Sequence, residues 1–569
     1  MRGVLEGVPG GRMFIAVGSV AAGFRTGMLF STLTRFTWSF LGIALLCSHA
    51  WAEGESAAAG APPARVVAEP RTGPYFEVDV AVTDRGRDVD ALSAAGYNVT
   101  KVDGNVVTLY ANAEELLWLN ADGYRLLRVE QQPTAPPEPE TPQPKALGVY
   151  HGYTSLTTEL QAYAGDHDTV CRLYSLGQSV QGRELWAVLI TDNPDDDEEE
   201  PEFKYVSTMH GDEPVGTELC LYLIDHLLTQ YGSVQRVTDL VNNTAIWIVP
   251  CMNPDGLVAG TRYNANSLDL NRNFPSRTEI AGTVYDQASL DETGRPVEIQ
   301  HVMRWTADNS FVLSANLHTG ALLFNYLYDD DGKGSGVDAP TPDDSLIEAL
   351  SLRYATHNTP MYTSSSPFFT NGIVNGSVWY EATGSMQDWN YRYAGCIEAT
   401  VELSTTKKPS ASLLPTLWAN NQESMLSYME GVHRGVRGIV TSSATGAPLY
   451  AKVTVSSNTQ PVFTDPDVGD YYRLLLPGTH DLTYTAVGFQ SKTITGVTVV
   501  DGVATREDVE LDPIDADINN DGVVDAADIQ VVILAILGLP NGGFDADIDN
   551  SGTVTTVDLQ QVIAVLINQ

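Results

Sequence analysis

Cysteine is scarce in this chain, with five in 569 residues, and basic side chains are few beside acidic ones, 32 Lys and Arg against 72 Asp and Glu. The cysteines are scattered, which excludes a small disulfide-built scaffold and a zinc site of paired cysteines. The formal charge of -40 excludes nucleic acid as a partner, because its phosphates would be repelled. Long apolar runs are also lacking. The apolar run near the start, Phe36 to Leu46, is too short to cross a bilayer, so no transmembrane segment is expected.

That stretch has the form of an export signal. Arg35 precedes it, and Ala50-Trp51-Ala52 fits a small-residue cleavage site, so residues 1–52 read as a signal peptide, with Met28 a suitable start. Leu46 before Cys47 argues against a lipoprotein. A secreted or extracytoplasmic location follows. Cys171, Cys220, Cys251 and Cys396 remain, and one or two disulfides or buried free thiols both fit.

The length calls for several domains. Residues 53–72 read as a disordered leader, 73–132 as a small α+β domain around a β-α-β unit and a candidate pro-region, and 133–147 as an extended Pro-rich linker. In 148–432, β-branched runs alternate with helical ones, predicting an α/β domain with a largely parallel buried sheet. Its acidic run Asp195–Glu200 reads as a solvated loop. Short alternating runs in 433–512 predict a small antiparallel β-sandwich.

From Pro513 onward there are nine Asp and no Lys, Arg or Glu. Two twelve-residue loops, "DINNDGVVDAAD" and "DIDNSGTVTTVD", repeat in register, each followed by an apolar helical run. Oxygen side chains stand at loop positions 1, 3, 5 and 12 (Asp517, Asn519, Asp521, Asp528; Asp547, Asp549, Ser551, Asp558), with Gly at position 6. This spacing suits two structural calcium ions, because Gly allows the turn and alternate oxygens converge.

Histidine is sparse too, and His210 stands three residues before Glu213 in the turn "HGDEP" after the run "KYVST". Alone, the pair fits either a metal site or a solvated turn. His318 follows another strand-like run, "FVLSANL", so two strands can deliver His210, Glu213 and His318 to one rim, leaving one coordination position open. His301 and His357 read as surface or packing residues. Glu402 lies inside an apolar run, where a carboxylate is costly unless paired or functional. "TRYNANSLDLNRNF" supplies Arg262, Asn271 and Arg272, and an arginine fork can grip a carboxylate.

In order along the chain, "HGDE", "NPDG", "DLNRNF", "ANLHTG", "WYEATGSMQDWNY" and "TVELS" resemble the zinc metallocarboxypeptidases. "GSMQDWNY" and the following β-sandwich resemble the regulatory N/E-type subfamily, named after carboxypeptidases N and E, in which a transthyretin-like domain follows the catalytic one. The resemblance implies a mixed eight-stranded sheet flanked by helices. It implies one catalytic zinc on His210, Glu213 and His318, with Glu402 as general base and Arg262 polarising the scissile carbonyl. Asn271 and Arg272 would bind the substrate carboxylate, and Tyr380 would close over the bound residue. Asp329 and Gln387 would line the pocket for a C-terminal Lys or Arg.

Two features depart from the subfamily pattern: Thr319 stands where Gly is common, and "ELSTTKKPS" lacks the usual Cys. The terminal repeat resembles type I dockerins, short helical modules that bind calcium and dock onto cohesin partners. The activity implied is hydrolysis of C-terminal peptide bonds. Alternatives are a murein-peptide carboxypeptidase, a deacylase of the aspartoacylase type, or a non-catalytic binding protein displayed through the tail.

Overall fold

The computed structural model describes residues 75–131, 148–277, 292–364, 369–548 and 552–567. The export signal, the leader, the Pro-rich linker and the loop ligands Asp549 and Ser551 fall outside the described residues.

The N-terminal domain is β-α-β-β-α-β, larger than the single β-α-β unit expected. Strands β1 (Tyr75–Ala81), β2 (Asn98–Asp103), β3 (Val106–Asn112) and β4 (Arg125–Gln131) form an antiparallel sheet in the order β2-β3-β1-β4. The added hairpin turns at Asp103-Gly104, where Gly104 has φ +58° and pays no Cβ penalty. Asn112 caps the helix Ala113–Ala121 in a reciprocal capping box with Glu115.

The central domain carries eight strands: β5 (Cys171–Gln178), β6 (Glu184–Ile190), β7 (Glu202–Ser207), β8 (Ala245–Val249), β9 (Phe311–His318), β10 (Leu322–Tyr326), β11 (Ile373–Asn375) and β12 (Ile397–Leu403). Their order is β11-β10-β12-β9-β7-β8-β6-β5. The middle four, β12, β9, β7 and β8, run parallel, while β6 on β8, β5 on β6 and β10 on β12 are antiparallel. The sheet is therefore the mixed eight-stranded one that the resemblance implies, not the largely parallel one that the residue pattern alone suggests. A short turn joins β5 to β6, and such a connection permits only antiparallel pairing. Both faces are covered, as parallel central strands require. Phe203 and Tyr205 enter the core against the helices Val215–Gln230 and Leu414–Met429, and Val206 enters the opposite core with Val302 and Trp389. The four described cysteines are buried free thiols.

In the C-terminal sandwich, Val436–Ser442 pairs in parallel with Thr505–Arg506 and Val509–Leu511. The expectation of a purely antiparallel sandwich fails there, because the last strands return beside the first. The acidic run is a loop exposed over residues 195–198, as expected, but it is also tethered. Glu199 bridges to Arg437 and Arg506 of the sandwich, Asp195 pairs with Arg172, and Glu200 accepts a hydrogen bond from Thr191. The partners come from distant sequence, which hid the clamp from local reading.

The helices Ala526–Ile536 and Thr556–Ile567 share a small core of Ile518, Val532 and Val562. Asp528 accepts from the backbone N–H of Asn519 and Asp525, and Asp558 from those of Ile548 and Thr555. In each loop the last acid thus ties backbone N–H groups of the described ends together. Calcium is expected to raise the helical circular dichroism of a 513–569 fragment, since ion binding adds to folding free energy. Identical helix content in calcium and in chelator would sink that expectation.

Candidate active site

His210 follows β7, and His318 ends β9, its parallel neighbour, so both side chains emerge at one rim. The turn after β7 is tight: a Cβ on Gly211 would sit 1.9 Å from the Gly256 backbone, so "HGDE" and "NPDG" meet only through glycine. Glu213 faces both imidazoles, with Oε1 3.2 Å from His210 Nδ1 and Oε2 2.9 Å from His318 Nδ1. One ligand atom from each of the three residues lies within 4.8 Å of the others, and all three are buried. Burial works against the Glu213 carboxylate, but His210 and His318 outweigh it and hold its pKa well below the usual carboxylate range.

The donor set fits zinc: two imidazoles and a carboxylate converge, and His318 Nε2 is buried without a hydrogen-bond partner. Asp269 accepts from His210 Nε2 at 3.0 Å, which turns Nδ1 toward Glu213. It also accepts from Arg262 Nε at 2.8 Å. Sequence reasoning left Asp269 out, although the motif "DLNRNF" begins with it. Arg262 is buried and reaches His210 Nδ1 and Glu213 Oε1 through Nη1.

Glu402 on β12 pairs in register with His318 on β9, so it faces the same cavity. Its Oε2 accepts from the Ala321 N–H at 3.3 Å. Burial, then the Glu213 charge, push its pKa up to about 7. Asn271 and Arg272 line this cavity too, and Asn271 Oδ1 accepts from the Met386 N–H.

Asp329 belongs to the cavity wall and is only 4 % exposed, while its neighbours Asp330 and Asp331 are half-buried and do not line the cavity, and burial raises its pKa. A Cβ at Gly376 would lie 2.1 Å from Asp329 Oδ1, so glycine leaves the carboxylate its place. Asp388 accepts from the backbone N–H of Asp329 and Asp330, fixing the loop; it too was missed, inside the quoted "GSMQDWNY". Gln387 is fully buried with neither side-chain oxygen nor nitrogen paired, yet it stands outside the lining residues of the cavity.

The N-terminal domain covers this cavity, and Glu77, Asp79, Lys101 and Arg128 complete its lining. The Val99 carbonyl accepts from Arg272 Nη2 at 3.1 Å. Tyr380 packs on the N-terminal domain's own core, and Trp379 Nε1 donates to the Val102 carbonyl. Lys407 reaches Glu77, Asp212 and Tyr110, while Thr319 Oγ1 holds the Lys407 carbonyl at 2.7 Å. Both departures from the subfamily pattern, Thr319 and the stretch holding Lys407, thus meet at the contact with this domain.

Three family profiles match in succession: zinc carboxypeptidase over residues 156–424, carboxypeptidase regulatory-like domain over 435–512 and dockerin type I domain over 515–567. The catalytic chain of carboxypeptidase N from Homo sapiens is 36 % identical over 377 residues, covering 61 % of this chain and 82 % of that protein. This chain belongs to the zinc carboxypeptidase family. Carboxypeptidase D from Homo sapiens is 39 % identical over 398 residues, and the match spans 67 % of this chain but only 28 % of that longer relative. Among solved structures, the carboxypeptidase A of Helicoverpa armigera aligns with 62 % of this chain and 96 % of its own at 21 % identity, with a TM-score of 0.48. Among the described residues, no helix is long and apolar enough to cross a membrane.

Proposed function

We propose that this chain is an exported zinc carboxypeptidase that removes Lys or Arg from peptide C-termini and is held covered by its 75–131 domain. The observation that carries the reading is the shared rim: Glu402 faces the His210, Glu213 and His318 cluster across paired strands, with Arg272 and Asn271 in the same cavity.

Zinc on His210, Glu213 and His318 supplies Lewis-acid polarisation and water activation. Arg272, with Asn271, binds the terminal carboxylate, which makes the reaction exopeptidic. Tyr380 closes over the terminal residue. Glu402 takes a proton from the attacking water and passes it to the leaving amine. Arg262 stabilises the charge that develops on the carbonyl oxygen. Asp329 favours a cationic side chain, because a neutral one leaves its buried charge unpaired.

The tail would take two calcium ions, through Asp517, Asn519, Asp521 and Asp528 and through Asp547, Asp549, Ser551 and Asp558, and dock onto a cohesin-type partner. With residues 1–52 as an export signal, the peptidase works outside the cytoplasm.

Matched peptides ending in Arg, Lys and Leu, with murein stem peptides beside them, test the reading with and without a zinc chelator. Activity on Arg and Lys ends that is lost in chelator and restored by zinc is the expected result. Asp329→Ala should cost about 2–4 kcal/mol in kcat/KM on Arg ends and much less on Leu ends. Equal losses on both, or a wild-type preference for apolar ends or murein stems, would remove the basic specificity.

A further inference from the structure

Asp269 stands behind the ligand His210 and is buried. Its Oδ1 accepts from His210 Nε2 at 3.0 Å and from the Asn271 N–H at 2.9 Å. Its Oδ2 accepts from Arg262 Nε at 2.8 Å and, at 2.6 Å, from Nδ2 of Asn98 on β2. That last donor belongs to the N-terminal domain. The same Nδ2 lies 3.3 Å from the Tyr263 hydroxyl, and Tyr75 and Tyr110 of that domain pack on the Tyr263 ring with centroids 4.9 and 5.9 Å away. Asn98 Oδ1 is buried without a hydrogen-bond partner. An orphaned amide oxygen is costly, so the amide is held in this orientation by the carboxylate that its nitrogen faces.

Resting on the zinc reading above, we infer that Asn98 is a positioning residue through which the N-terminal domain tightens zinc binding, so that the domain retains the metal for as long as it covers the site. A carboxylate that accepts from the far nitrogen of a ligating histidine fixes the tautomer and the ring orientation. Asp269 can do this only while its own plane is fixed. Arg262 and Asn271 each hold one oxygen from within the catalytic domain, and Asn98 closes the remaining side. Without Asn98, water reaches Oδ2, solvates the carboxylate and frees it to turn away from His210. Covering by the domain also lowers the local dielectric, which strengthens the hydrogen bond between Asp269 and His210. The cover and the metal site are thus coupled through one amide.

The test uses the full-length chain. Zinc affinity is measured at equilibrium by competition with a chromogenic chelator, so that covering alters the rate of approach but not the end point. Cobalt(II) loaded in place of zinc gives visible bands that respond to the orientation of the ligands. Asn98→Leu keeps the bulk of the side chain, and Asn98→Ala adds none should leucine not be accommodated. Both should weaken zinc by roughly tenfold and shift the cobalt bands. Arg85→Ala is the control: Arg85 ties the same domain to the Val378 and Trp379 carbonyls, away from Asp269, and its loss should leave zinc affinity and the cobalt bands at the wild-type values. Wild-type affinity in both Asn98 variants would overturn the inference and leave the zinc site standing. An equal loss in Arg85→Ala would overturn it too, because docking in general, and not this amide, would then hold the metal. A wild type that binds no zinc overturns the zinc reading itself.

Discussion

Glu402→Gln is expected to lower kcat by about a hundredfold to ten-thousandfold while zinc content stays at the wild-type level. Glutamine keeps the size of the side chain and can still accept from the Ala321 N–H, so the strand pairing of β12 with β9 is undisturbed. What it loses is the ability to hold a proton in transit. The same side chain sets the acid limb of the pH profile. Burial and the Glu213 charge raise its pKa to about 7, and the base must be deprotonated, so activity rises with pH through that range. A cation on the neighbouring ligands stabilises the carboxylate and moves the limb to lower pH. Metal analysis beside steady-state kinetics makes the check. Wild-type turnover in a zinc-replete variant would show that another group takes the proton.

Freeing the chain from its N-terminal domain should raise kcat/KM on peptide substrates by tenfold or more. The Val99 carbonyl holds Arg272, and Tyr380 packs on the core of that domain, so the two groups proposed to grip the substrate are engaged elsewhere. A protease site placed within 133–147, cleavage, and removal of the released domain at high salt give the comparison. Lys407→Ala should imitate cleavage in part. Its ammonium reaches Glu77 and Asp212, both largely buried, and loss of one partner from such a cluster costs about 1–3 kcal/mol. The substitution should raise the activity of the uncleaved chain and leave the cleaved one unchanged. If activity is the same before and after removal of the domain, the covering has no inhibitory effect.

The site was legible to different depths along the chain. His210, Glu213, His318 and Glu402 could be named from local patterns, because each sits within a strand-like run or in the turn that follows one, and strand ends converge in an open α/β sheet. Asp269 and Asp388 lay inside quoted motifs but act through contacts with other elements, His210 and Arg262 for one and the Asp329 loop for the other.

By itself the sequence pointed to the α/β class, to His210, Glu213 and His318 as candidate ligands, and to the repeated acidic loops. Those follow from spacing and periodicity, which are local properties of the chain. Only the tertiary structure decided which strands pair antiparallel, that the acidic run clamps the sandwich through Glu199, and that the N-terminal domain lies over the cavity. Each of these depends on pairing between residues far apart in sequence. Such pairing is set by which surfaces can be buried together, and no window along the chain contains both partners.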